Sequence, residues 1–247
     1  MEFRILGPLE AHAGGRPLPV RGGKQKALLA LLLLNANEVV PGERLVDELW
    51  PDEPPESGVT ALQVRVSKLR KSLEASGGQP PIVTRAPVYL VQVDTEQLDL
   101  LHFERLAAQA RDALGKGDPE TAAERLRQAL ALWNGPALAD LTYEPFAQAA
   151  IVRLEELRLA ALEQRIEADL ALGRHADVAG ELEALVAEHP LRERLRRQLM
   201  RPRRALPHDL GFGRDDRPAR SRHSRAARRA PRGASGLGDP GRGGLQR

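Results

Sequence analysis

Apolar residues recur along this 247-residue chain with two different periods, and the change from one to the other divides it. Over residues 1–21, Phe3, Ile5 and Leu9 stand apart, Gly7-Pro8 and Gly14-Gly15 interrupt, and Leu18 and Val20 resume an alternating pattern; this predicts short strands. A helix follows over residues 24–35, built on Ala27, Leu28, Leu31, Leu32 and Leu34 and stopped by Asn35-Ala36-Asn37. After Val39-Val40-Pro41 comes a second helix, residues 42–49, with Leu45, Val46 and Leu49 apolar. Trp50-Pro51 closes it, because proline disfavours helical geometry in the residue before it. A polar loop, residues 51–58, leads to a third helix over 59–74, whose apolar positions Leu62, Val66, Leu69 and Leu73 step by four, three and four along one stripe. Gly77-Gly78 and Pro80-Pro81 end it, and 82–84 with 88–93 read as a hairpin around Arg85-Ala86-Pro87. The order of strands, three helices and hairpin is that of a winged helix-turn-helix.

From Leu101 the period is helical throughout. One helix carries Phe103, Leu106, Ala110 and Leu114 and breaks at Gly115-Lys116-Gly117. The next starts at Asp118-Pro119, an N-cap and first-turn pair, and stops at Asn134-Gly135-Pro136. A long helix over 145–172 and two more over 175–189 and 191–200 complete the pattern. Alanine at packing positions such as Ala122 suggests stacked helix pairs of tetratricopeptide type, each unable to bury its apolar face alone; an ordinary helical bundle fits the periodicity equally. The expected fold is therefore mainly α with a small β part: a winged helix at 1–94, a tetratricopeptide-like all-α domain at 100–200, and a tail at 201–247.

Charge adds little until it is divided by segment. The chain is basic overall, but 201–247 hold 13 arginines, no lysine and 4 aspartates, leaving 1–200 net acidic. A nucleic-acid argument must rest on where charges sit rather than on their sum. The absence of cysteine excludes disulfides, thiolate metal sites and cysteine nucleophiles. The N-terminus has no signal-peptide pattern, and the longest apolar run, 27–34, is too short to span a bilayer, so a cytoplasmic protein without membrane contact is expected. The six histidines, at 12, 102, 175, 189, 208 and 223, show no metal-ligand spacing. With no phosphate loop and no nucleophile elbow, neither an enzyme nor a metal or cofactor site is expected.

The helix over 59–74 is the segment with chemistry. Opposite its apolar stripe it carries Thr60, Gln63, Arg65, Ser67, Lys68, Arg70, Lys71 and Ser72, with Glu74 alone acidic. Arg65, Lys68 and Ser72 are expected to share the exposed face, flanked by Gln63, Ser67 and Arg70. Arg and Gln make paired hydrogen bonds to base edges, whereas Lys, Ser and Thr hold phosphates. Arg85 at the hairpin tip suits a wing reaching the minor groove or backbone, and Lys24 and Lys26 at the start of the first helix are further candidates for phosphate contact. The same residues read as a solvated helix face if the helix is taken alone; the winged-helix order tips the balance.

The chain resembles the Streptomyces antibiotic regulatory proteins, activators that join an OmpR-type winged helix to a bacterial transcriptional activation domain. FRILGPLE, GGKQKALLALLLLNAN, VDELWPDEPPESGVTALQVRVSKLRKSL and IVTRAPVYLVQVD carry the resemblance in the first part, FERLAAQARDALGKGDPETAAERLRQALALWNGPALADL and the segment from PFAQAA to RRQLM in the second. It implies binding of direct repeats in promoter DNA, recruitment of RNA polymerase to antibiotic or other secondary-metabolite genes, and a pair of copies on the repeats. It also implies major-groove reading by Gln63, Arg65, Lys68 and Arg70, supported by Ser67, Lys71 and Ser72. Before residue 1 there is no room for a phosphoacceptor receiver domain, so control by phosphorylation on this chain is not expected.

Two departures stand out. The family's wing usually has glycine before its Tyr-Leu pair, where this chain has Val88, so a differently shaped wing tip is expected. After Met200 the sequence loses apolar period and fills with Arg, Pro and Gly, a composition that buries no core and is expected to be disordered. The tail reads as an out-of-frame translation of GC-rich coding sequence, or else as an Arg-rich arm that binds nucleic acid non-specifically. Loss of later helices would leave the apolar faces of Val178, Leu182, Leu185, Leu195 and Leu199 partly uncovered. The rivals to an activator are a helical-repeat interaction adaptor and a truncated regulator that binds DNA without activating.

Overall fold

The computed structural model describes residues 1–74, 81–85 and 87–205. The turn glycines and Pro80, wing-tip Ala86 and the tail from 206 onward lie outside the described residues.

Three short strands open the chain, β1 (Glu2–Arg4), β2 (Glu10–Ala13) and β3 (Arg16–Pro17), in an antiparallel sheet that pairs Phe3 with Ala11 and Ala13 with Arg16. Helix α1 (Gly23–Leu34) is apolar nearly all round and is buried from Ala27 to Leu33, as a helix with neighbours on several sides must be. The two-residue strand β4 (Val40–Pro41) and helix α2 (Gly42–Leu49) lead to α3 (Gly58–Glu74), which buries Leu62, Val66, Leu69 and Leu73. Strands β5 (Ile82–Arg85) and β6 (Val88–Val91) form the wing hairpin, and β4 pairs with β6 to complete a sheet ordered β4-β6-β5. Val88 takes a place in that ladder opposite Arg85 and Pro41 and is not among the residues of positive φ, so the position needs no glycine here.

A 3-10 turn at Thr95–Gln97 leads into α4 (Asp99–Gly115) and α5 (Pro119–Leu130), which pack as a pair. Asp118 caps α5, accepting from the Thr121 N–H at 3.0 Å, and Pro119 occupies the first turn. The long α6 (Pro145–Ala171) lies against α5, and α7 (His175–Glu188) and α8 (Glu193–Ala205) close the stack. Helix α8 runs to Ala205, correcting the expectation that order ends at residue 200. Of the five residues expected to be partly uncovered, three are corrected, while Leu185 and Leu199 stay partly exposed. Val178, Leu182 and Leu195 are fully buried with Leu159, Ile166 and Leu170, and Leu185 and Leu199 pack against them, because α6, α7 and α8 cover one another.

The apolar core is continuous from the winged helix into the helical stack, running through Ile5, Leu28, Phe103, Trp133, Leu138 and Ala168. Backbone of the first ten residues joins the two parts. Leu6 C=O accepts from Asn134 N–H at 2.8 Å, Ile5 C=O accepts from Leu138 N–H at 3.2 Å, and Leu9 N–H donates to Asp140 at 2.9 Å. Gly7 lies so close to Asn134 that an added Cβ would stand 2.9 Å from its carbonyl oxygen. The largely buried Asp99, at the first turn of α4, accepts from Ile5 and Leu6 N–H, each at 2.9 Å.

Burial pushes the Asp99 carboxyl up to about 6 from its ordinary 3.8, against the pull of those N–H bonds. The folded state therefore holds this proton where the unfolded state has released it. The Asp99 contribution is full below pH 4 and is lost as pH rises through about 6, so stability should fall across that window. Thermal melts across pH 4 to 7 should show this slope in the wild type and a flatter one in Asp99→Asn. Equal slopes would contradict it.

Candidate nucleic-acid interface

Helix α3 is set in place by contacts on three sides. From α1, the buried Gln25 side chain donates to the Arg65 carbonyl at 3.0 Å. From α2, Val46 presses on Gly58, where a Cβ would meet Val46 Cγ1 at 2.6 Å. Toward the wing, the Arg70 guanidinium donates to the Ile82 carbonyl at 3.0 Å and to Thr84 Oγ1 at 2.6 Å, and lies near Tyr89, whose phenol burial pushes upward. At the start of the helix Ser57 Oγ is 2.8 Å from Thr60 Oγ1 and accepts from the Thr60 N–H.

With the buried stripe fixed, the opposite face follows from the 100° step between helical residues. It is centred on Thr60, Val64 and Lys71 and bordered by Ser67, Lys68 and Gln63; all six are exposed. This corrects the expected face of Arg65, Lys68 and Ser72. Arg65 and Ser72 are half-buried at its edge, and Ser72 Oγ turns back to the Lys68 carbonyl at 3.1 Å. Arg70 is half-buried on the other edge and engaged with the wing. Val64, 47% exposed, was missed: a valine in a helix of leucines and valines looks like core until the stripe's centre is known.

Among the described residues no carboxylate pairs with Arg65, Lys68, Lys71 or the exposed Arg85 at the end of β5. A surface with unpaired cations, short hydroxyl side chains and one amide suits a polyanion with polar base edges. Lys24 and Lys26 are placed differently. They sit on α1 and pair with Glu144, at 3.3 Å, and with Asp140, both from the segment ahead of α6. Their charges join the winged helix to the helical stack, whereas they were expected as candidates for phosphate contact.

The described residues contain no group of three or more His, Asp or Glu able to hold a metal, and no helix among them is long and apolar enough to cross a membrane.

Comparison with known proteins agrees with this architecture. Residues 20–88 match the family model "Transcriptional regulatory protein, C terminal", and residues 98–206 match "Bacterial transcriptional activator domain". The regulatory protein DnrI of Streptomyces peucetius is 41% identical over 207 residues, covering 81% of this chain and 76% of that protein. The transcriptional regulator RedD of Streptomyces coelicolor is 38% identical, covering 81% of this chain and 58% of its own length. Among solved structures, EmbR of Mycobacterium tuberculosis in complex with a low affinity phosphopeptide superposes with a TM-score of 0.78 at 35% identity, covering 81% of this chain and 54% of that one. The chain thus spans three quarters of one such relative and little more than half of the others. With both family models matched in this order, the chain belongs to the Streptomyces antibiotic regulatory protein family of DNA-binding transcriptional activators.

Proposed function

We propose that this protein lays the outer face of α3 in the major groove of promoter direct repeats, with Arg85 of the wing on the adjacent backbone, and that the helical stack engages RNA polymerase to activate secondary-metabolite genes in the cytoplasm. Two copies bind, one on each repeat. The observation that carries the reading is the unpaired cationic face of α3 in a winged helix whose relatives are regulators. Lys68 and Lys71 supply phosphate contacts, Gln63 a base-edge contact, and Thr60 and Ser67 hydrogen bonds to backbone. Arg65, half-buried at the rim, reaches the groove edge. The winged helix occupies 1–94 and the activation domain follows from about residue 98.

A gel-shift titration on the region upstream of the gene's own neighbourhood tests this. In Lys68→Ala/Lys71→Ala, binding should weaken by about tenfold or more, and the plot of log affinity against log salt should become shallower by about two. The far-UV spectrum and melt should be unchanged, since both side chains are exposed and unpaired. Unchanged affinity in the double variant, or no wild-type binding at low salt, defeats the proposal.

A further inference from the structure

Val64 stands at the middle of the face that meets DNA, 47% exposed, with Thr60, Ser67, Lys68 and Lys71 around it. The other exposed apolar side chain of α3, Val59, lies about 140° round the helix and belongs to a different surface. Folding gives no reason for valine at position 64. The side chain belongs to neither apolar core cluster, and a β-branched residue on an open helix is less favourable than alanine. Its neighbours Thr60 and Ser67 are short, so the isopropyl group is not screened from a surface laid against the helix, while Lys68, Lys71 and Gln63 are long enough to reach past it.

The major groove offers only one apolar group on a base edge, the C5 methyl of thymine; every other edge presents donors or acceptors. An isopropyl group pressed on those polar edges strips their water without replacing it, which is unfavourable. On a thymine methyl it covers apolar surface at no such cost. We infer that Val64 packs on the C5 methyl of one thymine in each half of the operator and selects that base pair over the other three. The inference rests on the reading that α3 enters the major groove, and adds the base class that its central side chain recognises.

The test uses the full chain and the bound promoter fragment, resynthesised with uracil in place of each thymine in turn. That exchange deletes the C5 methyl and leaves pairing unchanged. Wild-type protein should lose about fourfold in affinity at one thymine per half-site, the loss expected for one uncovered methyl. In Val64→Ala, which should melt no lower than the wild type, the same uracil should cost nothing, and cytosine at that position should be rejected less strongly. If no uracil weakens the wild type, or if the uracil penalty persists in Val64→Ala, the inference is overturned while the DNA-binding reading stands. Absence of any wild-type binding overturns both.

Discussion

Replacing Asp169 with alanine should lower the unfolding free energy by about 3 kcal/mol, read as a shift in the urea midpoint at unchanged slope. Asp169 is 1% exposed on α6, and its carboxylate gathers three guanidinium groups: Arg127 of α5, Arg165 of α6 at 3.3 Å, and Arg174 of the turn before α7 at 3.1 Å. The outer partners extend the network, Arg174 to Glu120 of α5 at 3.6 Å and Arg165 to Glu181 of α7. A single buried oxygen pair thus fixes how α5, α6 and α7 sit on one another. Removing one member of a buried ion pair costs more than the pair contributes, because the remaining charge stays desolvated without a counter-charge. The side chains of Arg127 and Arg174 are 48% and 35% exposed and recover water, so the lower end of the usual range applies; Arg165, 12% exposed, carries most of the loss. Asp169→Asn should lie between, since the amide oxygen still accepts from one guanidinium. A midpoint shift equivalent to less than about 1 kcal/mol for Asp169→Ala would show the network to be dispensable.

Why Asp169 escaped the sequence reading also explains what was legible. Helices α3 and α6 and the wing hairpin declare themselves, since each holds its period long enough to exclude the alternative and ends at Gly, Pro or a capping residue. Strand β4 does not: two residues, Val40 and Pro41, carry no period, and only pairing with β6 makes them a strand. Charge was the weaker guide. Arg65 and Ser72 were set on the exposed face for their polarity, although the stripe of Leu62, Val66, Leu69 and Leu73 alone fixes where that face lies. Lys24 and Lys26 look like free cations because their partners are 120 and 114 residues away. The polar groups Gln25 and Asp169, both buried, and Asp99, partly so, share this character, since each meets partners from other elements and polarity along one helix cannot tell a solvated side chain from a paired one. The winged-helix order already pointed to DNA; the family resemblance supplied what pattern could not, that the helical stack is an activation domain.

Asp99→Ala should cost about 2–5 kcal/mol, because it removes the acceptor from three backbone N–H groups at once, those of Ile5, Leu6 and Leu100. Ile5 and Leu6 are fully buried, and both N–H groups end on the Asp99 carboxylate at 2.9 Å. Both donors sit on residues with no exposed surface, so each lost bond leaves a largely desolvated donor. Relief by shifting the strand is obstructed on the far side. Gly7 already touches the Asn134 carbonyl, and Leu138 is held at a φ of 47° with its N–H on Ile5 C=O. A leucine at positive φ persists only where its surroundings enforce it, which marks this junction as tightly determined. The loss should therefore fall on the junction before it reaches the DNA-binding face, because α3 is held by Gln25, Val46 and the wing, none of which touches Asp99. Amide hydrogen exchange separates the two. In Asp99→Ala the Ile5, Leu6 and Asn134 amides should exchange at least about tenfold faster, while the amides of Leu62 to Leu69 keep their protection up to the lowered global limit. If Ile5 and Leu6 exchange as slowly as in the wild type, Asp99 is not what holds the first strand to the helical stack. If α3 loses protection along with them, the winged helix depends on that stack for its own stability.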